Sequence, residues 1–569
     1  MSDPIDPQAL LAQLTLEEKI QLTSGSDLWR TFSIERLKVP FIKLTDGPIG
    51  ARGGGDFHDS TPSTLFPSPS CLGSTWDREL AFEMGKQIAL DSIEKQCHVL
   101  LGPTINGQRD PRAGRFFESY SEDPTLMGYL ASSWIQGAQS CGVGATMKHF
   151  IANEAEYDRR NNSSDLSIET LREVYLEPFR IIMADMQRLS NKNNDDPFKS
   201  QPACVMTAYN RVNGVSSSEN DEMITDILRK EWKFDGLVMS DWFAMHANAF
   251  NATDLEMPGP TIHRTISQTI EKIEKGDEEG KDWESEGFDR SNILLPRRQD
   301  DLVNQITKSS PGKTIILNLT GSVVEMPWIK DATGIVQCWY GGQEGAESLS
   351  DILLARGEAP ASGRLAHVWP AKIEDHPTGT DESYFPGIHL PNDKQGPHTN
   401  YVEGRLVGYK FYNKNKNSNQ PAFHFGQGLG GYTSFLTQGP FLEKANKINK
   451  STLPISLKVK STNNGKRSGK EVIQIYLRPH IPLTDAKDEP IQRLVAFTVL
   501  RPSPDQTEEA NLQLYQDAFS YWDEKNRSWQ VKQGDYDLVL ARSARYGDEL
   551  GKVIITIDQS WSWTGTGVE

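Results

Sequence analysis

The sequence predicts a multidomain α/β protein: a TIM-like (β/α)8-type barrel over residues 1–262, a second α/β unit over 263–375, a connector over 376–438 and a β-sandwich over 439–569. Three observations predict it. Between about 35 and 260, short apolar runs alternate with amphipathic stretches: FIKLTDG, HVLLGPTIN, GATMKHF, ACVMTAYN and GLVMSDWF. That rhythm calls for parallel strands with crossover helices, and its repetition favours a barrel over a doubly wound sheet. The strings TIILNLTG and GIVQCWYGG, followed by AESLSDILLA, repeat the strand and helix alternation once more. From about 440 the text alternates with period two (LPISLKVKSTNN, KEVIQIYLRP, QRLVAFTVL, GDYDLVLARS), as an antiparallel sandwich requires. At 569 residues the chain also exceeds what one hydrophobic core serves.

The amino-terminal stretch MSDPIDPQALLAQLTLEEKI has helical periodicity but no basic and apolar leader pattern, and no run reaches the ~18 apolar residues of a spanning helix. A cytoplasmic location is the expectation, with non-classical export left open. Each barrel run ends in polar residues: Asp46, Asn106, Lys148 with His149, Tyr209 with Asn210, and Asp241 with Trp242. Strand C-termini are where such barrels build their sites. In LSIETLREVYLEPFRIIMADM, Leu171, Val174, Tyr175 and Phe179 recur at helical spacing and read as barrel cover. RTISQTIEKIEKG carries Ile266, Ile270 and Ile273 on one helical face before an acidic loop. Residues 376 to 435 are rich in Pro, Gly, Asn and Tyr, without periodicity, and read as a packed connector.

The formal charge of −17 at pH 7 repels nucleic acid and anionic lipid, so neither is expected as a partner. Cys71, Cys97, Cys141, Cys204 and Cys338 show no metal-ligand spacing and no disulfide framework, so no metal or other cofactor is expected. GARGGG lacks the Lys-Ser/Thr of a phosphate loop, and no GxSxG elbow occurs. A homo-oligomer stays open.

Asp241 in VMSDWF is by itself an ordinary helix N-cap candidate. Its place at a barrel-like strand end, with Trp242 as a flat apolar wall, suits a carboxylate that attacks a sugar. Lys148 and His149 alone would be a packing and ion-pair feature, but Arg159 in the adjoining NEAEYDRR gathers donors suited to a polyhydroxylated ligand. Arg115 in AGRFFESYSEDP, and Asp46 with Arg52 in LTDGPIGARGG, complete the rim.

Taken in order, LTLEEKIQLTSG, LTDGPIGARGG, GRFFESYSEDP, GVGATMKHFIANEAEYDRR, VMTAYNRVNG, FDGLVMSDWF, DLEMPGP, DWESEGFDR, WYGGQEG, VGYKFY and FHFGQGLGGYTSF resemble glycoside hydrolase family 3, in its fungal β-glucosidase branch. GKRSGKEVIQIYL, YWDEKNRSW and GDYDLVL look like its fibronectin type III-like domain. The resemblance implies a retaining exo-glycosidase that releases β-D-glucose from small β-glucosides or oligosaccharides such as cellobiose, with no cofactor. It implies Asp241 as nucleophile, Trp242 as stacking wall, and Asp46, Arg115, Lys148, His149, Arg159 and Tyr209 on the sugar hydroxyls. Glu286 matches the acid/base and Glu284 is the runner-up. A retaining pair needs carboxyls about 5 to 5.5 Å apart, one ionised and one protonated. The cations are expected to keep Asp241 ionised, and Glu284, Asp282 and Asp289 to bias Glu286 toward protonation. KHFIANEAE departs from the histidine loop of the family's N-acetylhexosaminidases, which disfavours that activity.

Only 45 positions separate Asp241 from Glu286, and the opening helix and strand of the family's second domain are missing between them. A sheet so shortened is expected to expose apolar edges. Three readings stand: a rebuilt active enzyme, an inactive glucoside-binding relative whose Glu286 fails to reach the barrel, or an exon-skipped or mispredicted gene.

Overall fold

A computed structural model of the chain describes residues 7–55, 61–193, 200–246, 252–260, 284–296, 299–309, 311–356, 362–415, 419–428, 433–443 and 446–568. The helix expected around Ile266, Ile270 and Ile273, and Asp282 of the acidic loop, lie outside the described residues.

The five apolar runs form five parallel strands: β1 (Leu44–Asp46), β2 (Val99–Leu101), β3 (Gly144–Phe150), β4 (Cys204–Thr207) and β5 (Leu237–Ser240), adjacent in chain order. The curved sheet closes through shorter segments. Leu255 bridges Met239 and Glu256 bridges Ser24, both in parallel, and Arg30 bridges Lys43 beside β1. Trp29, Leu44, Leu101, Met206, Met239, Trp242 and Met257 fill the interior. The helices Arg78–Glu94, Pro124–Ser140 and Glu177–Asn193 wrap the outside, the first two capped by the carboxylates of Asp77 and Asp123. Leu171, Val174, Tyr175 and Phe179 are buried in the core that packs these helices on the sheet, as their spacing predicts.

The second unit holds, among the described residues, a two-stranded parallel sheet of β6 (Ile315–Asn318) and β7 (Gly334–Gln337), with helices Gln299–Ser309 and Gly345–Leu354. Ile316, Ile335 and Val303 pack on Trp328, Trp339 and Trp369, in a cluster that also takes in Ala113, Phe116 and Ala155 of the barrel loops. The other face stays open: Ile315, Leu317 and Leu319 are 56%, 38% and 62% exposed.

The connector is more ordered than its composition predicts. Its strand Pro397–Asn400 pairs in parallel with Ser163–Asp165 of a barrel loop, and that loop pairs on with Arg211–Val212. Backbone pairing needs no side-chain periodicity, which is why composition hid it. Glu403 accepts from Arg109 Nε at 2.6 Å, both side chains 1% exposed, which locks the connector to the barrel.

The carboxy-terminal strands form a sandwich. One sheet joins Phe435–Leu442, Ile455–Asn463 and Thr507–Leu514; the other has Glu471–Pro479 between Arg493–Leu500 and Gly534–Ala541. Burial alternates residue by residue along Ile455–Asn463. All five cysteines are free, and among the described residues no helix is long and apolar enough to cross a membrane.

Candidate active site

The strand ends converge as the sequence predicts. From β3, Lys148 Nζ donates to Asp46 Oδ1 at the end of β1, 2.8 Å away. The backbone N–H of His149 donates to Asn106 Oδ1 at 3.1 Å, and its Nδ1 lies 2.9 Å from the same oxygen. Asn106 Nδ2 donates to the His149 carbonyl at 3.0 Å, which fixes the amide orientation. Nδ1 therefore carries the ring hydrogen, and Nε2 presents a lone pair 3.5 Å from Asp241 Oδ2. Burial, reinforced by the charges of Arg115, Lys148 and Arg159, holds His149 well below its usual range, so the ring is neutral.

Asp241 follows β5 directly and is 8% exposed. Its Oδ1 accepts from the backbone N–H of Trp242 at 2.7 Å. Burial pushes its carboxyl up to about 6, against the pull of Arg159, Arg115 and Lys148 and with the push of Glu286. Tyr209 is buried beside it, and the Arg159 guanidinium lies 4.3 Å from the Tyr209 ring centroid.

Glu286 reaches this cluster from the second unit. It stands on a tight turn, Ser285 to Phe288, in which Gly287 takes φ +87°, a left-handed value that glycine adopts without strain. The turn is docked on the barrel by hydrogen bonds that main-chain N–H groups donate, mostly to carboxylates. The N–H groups of Gly114, Glu156 and Tyr157 donate to the Asp289 carboxylate at 3.0, 2.8 and 2.9 Å. Gly287 N–H donates to Glu156 Oε2 at 2.7 Å, and Arg290 N–H to the Arg112 carbonyl at 2.7 Å. Glu286 Oε1 then lies 2.8 Å from Arg159 Nη1 and 3.9 Å from Arg115 Nη1, with its side chain 51% exposed.

Glu284 points the other way. Its carboxylate takes Arg290 Nη1 at 3.2 Å and Gly321 N–H at 2.8 Å, together with the Tyr340 hydroxyl, and its side chain is 1% exposed. Both oxygens are committed to holding the loop against the second unit.

The electrostatics differ from expectation. Arg115, ahead of Arg159 and Lys148, holds the Glu286 carboxyl down at about 2, while Asp241 sits near 6. Glu284 and Asp289 were expected to repel Glu286, but their carboxylates are turned toward Arg290 and three backbone amides, and the face left to Glu286 is cationic.

Arg52 and Trp242 join this cluster through their backbones: the Arg52 N–H donates to the Asp46 carbonyl at 2.9 Å and the Trp242 N–H to Asp241. The Arg52 guanidinium lies 5.9 Å from a Trp29 ring centroid. Trp242 is 6% exposed, packs on Trp29 with centroids 5.4 Å apart and donates from Nε1 to the Leu28 carbonyl at 3.0 Å. Its ring is mostly barrel filling, and the aromatic face left to solvent is that of Phe243, 39% exposed. Sequence reasoning missed Asn106 as the clamp on His149, Glu118 as the partner of Arg115 at 2.7 Å, and Glu156, which holds both Arg159 at 2.7 Å and the Gly287 turn. Spacing held part of the signal: Arg115 with Glu118, and Glu156 with Arg159, are i,i+3 pairs.

A barrel with one buried carboxylate at a strand end, a second brought in from a neighbouring unit and a ring of fixed polar donors fits a glycoside hydrolase scaffold. The chain belongs to glycosyl hydrolase family 3: residues 9–257 match the model of the family's N-terminal domain, residues 270–430 that of its C-terminal domain, and residues 471–544 a fibronectin type III-like domain. The thermostable β-glucosidase B of Acetivibrio thermocellus is 28% identical, over 95% of this chain and 87% of the relative. That alignment runs to 691 positions against 569 residues here, so the relative carries stretches with no counterpart in this chain. A probable β-glucosidase I of Aspergillus clavatus is 48% identical over 262 residues, 46% of this chain and 30% of the relative. Among solved structures, the β-glucosidase of Kluyveromyces marxianus in complex with glucose shares the fold, with a TM-score of 0.86 at 24% identity over 99% of this chain and 100% of that one.

Proposed function

We propose that this chain is a retaining β-glucosidase that cleaves terminal β-D-glucosyl residues from small glucosides. In this reading the ionised Asp241 attacks the anomeric carbon, the glycosidic C–O bond breaks, and Glu286 gives its proton to the departing oxygen. Glu286 then takes a proton from water, which displaces Asp241 and releases β-D-glucose. Lys148, Asp46, His149 Nε2, Arg115, Arg159 and Tyr209 supply the donors and acceptors for the sugar hydroxyls. The observation that carries the reading is the Glu286 turn: five hydrogen bonds donated by main-chain N–H groups, four of them to the Asp289 and Glu156 carboxylates, hold it on the barrel where Glu286 meets Arg159 beside Asp241. To act as an acid, Glu286 must exchange its ion pair for the glycosidic oxygen. Sugar hydroxyls on Arg159 and desolvation by bound substrate both raise its proton affinity.

That same ion pair favours a second reading, a glucoside-binding protein without turnover. Azide separates the two. With an activated aryl β-glucoside, Glu286→Ala should regain turnover in azide and yield β-glucosyl azide, and Asp241→Ala should be inactive. Glucose binding by a wild-type protein that releases no aglycone would leave the binding reading.

A further inference from the structure

We propose that Arg160 and Phe243 form an aglycone subsite that selects aryl glucosides bearing a carboxylate on the ring. The proposal rests on the β-glucosidase reading and names the substrate class of that site.

The cations of the rim differ in how they are matched. Lys148 is paired with Asp46, Arg115 with Glu118, and Arg159 with Glu156 and Glu286. Arg160 is exposed and has no hydrogen-bonded or ion-paired partner among the described residues. What holds it is aromatic. Its guanidinium lies 5.7 Å from the Tyr209 ring centroid and 5.9 Å from that of Phe243. A guanidinium placed over two rings keeps its plane fixed and its N–H edge free, the arrangement that takes a carboxylate in two parallel hydrogen bonds.

The location is the leaving-group side. Tyr209 and Phe243 flank Asp241, one buried next to it and the other two residues beyond it. Glu286, which in the proposed reaction protonates the leaving oxygen, is held by Arg159, the residue before Arg160. The inner donors, Lys148 and His149, are buried, so a group departing from Asp241 toward Glu286 passes the exposed faces of Phe243 and Arg160.

Phe243 is also held in an unusual conformation. Its φ is +64°, a left-handed value that an aromatic residue adopts only where its surroundings impose it. Its N–H donates to the Met257 carbonyl at 3.0 Å, and the next N–H, of Ala244, to the Asp241 carbonyl at 3.0 Å. The backbone that places Asp241 thus turns the Phe243 ring outward. A benzene ring stacked on Phe243, with its acid on Arg160, uses both groups at once.

The test compares kcat/KM for 4-carboxyphenyl and 4-carbamoylphenyl β-D-glucoside, which match in shape and differ in charge. The carboxylate-to-carboxamide ratio of the wild type should exceed that of Arg160→Gln by about fivefold at low salt, and the gap should narrow in ~0.5 M NaCl. Phe243→Ala should raise KM for both. Equal ratios in wild type and Arg160→Gln, with both substrates hydrolysed, would overturn the subsite and leave the β-glucosidase reading intact. Hydrolysis of neither by the wild type would overturn both.

Discussion

A Cβ on Gly114 would stand 1.7 Å from the carbonyl oxygen of Phe288 and 2.3 Å from that of Ser285. The barrel loop and the Glu286 turn therefore meet backbone to backbone, with no room for a side chain between them. Gly114 is followed directly by Arg115, so one contact sets the position of both Glu286 and a cation that faces it.

Gly114→Ala should push the turn away from the barrel. A displacement of about 1 Å at a catalytic group costs on the order of 10²-fold in rate. The expected result is a kcat/KM for an aryl β-glucoside about 10²-fold lower. Gly345→Ala, where a Cβ meets nothing within 4 Å, serves as the control and should keep its activity. Wild-type kinetics in Gly114→Ala would mean that Glu286 does not act through this docking.

Glu284 and Glu286, two residues apart, should fail in different ways. Removing the Glu284 carboxylate takes away a contact at 3.2 Å from Arg290, 5% exposed, and breaking one side of a buried ion pair costs about 3 kcal/mol or more. Glu284→Ala should unfold at lower temperature and lose activity that azide does not restore. Glu286→Ala, taken from an exposed side chain, should melt close to the wild type. Azide rescue of Glu284→Ala instead would exchange the two roles.

Much of this could be read from the sequence, and the exceptions share a cause. The five parallel strands of the barrel among the described residues coincide with the apolar runs, because a buried parallel strand has to be continuously apolar. The strand-end residues Asp46, Lys148, His149, Tyr209 and Asp241 came with them. Orientation was not legible. Glu284 and Glu286 look equivalent in ESEG, yet one faces Arg290 and the other Arg159, a choice made by the Gly287 turn. Charge environment was misjudged for the same reason: neighbours in sequence were counted as neighbours in space. The connector strand Pro397–Asn400 escaped because its partners, near Ser163, are more than two hundred residues away.

The open face of β6 makes a separate prediction. Ile315 and Leu317 alternate along β6 and Leu319 follows its end, and all three are exposed, an apolar row that promotes association. The double variant Ile315→Thr, Leu317→Lys should reduce concentration-dependent light scattering without lowering kcat/KM, since neither side chain belongs to the site. Unchanged scattering would show that this face does not govern self-association.

Asp241 ties activity and stability to pH in opposite directions. Its carboxyl is pushed from an ordinary value of 3.8 up to about 6, so attack on an activated glucoside, which needs no acid, should lose about tenfold in kcat/KM per pH unit below 6. Lys148 pulls that value down, so Lys148→Met should move the limb to higher pH. For stability, a carboxyl with a raised value binds more protons in the folded chain than in the unfolded one between 3.8 and 6, and stability falls as pH rises through that window. Asp241→Asn removes the cost of ionising a group that is 8% exposed. The variant should match the wild type near pH 3.5 and exceed it at pH 7.5 by about 2 to 3 kcal/mol, at one pH unit per 1.36 kcal/mol. Thermal melts of both proteins at the two pH values measure this. Equal melting at pH 7.5 would mean that Asp241 is ionised without penalty, and the acid limb near 6 would then belong to another group.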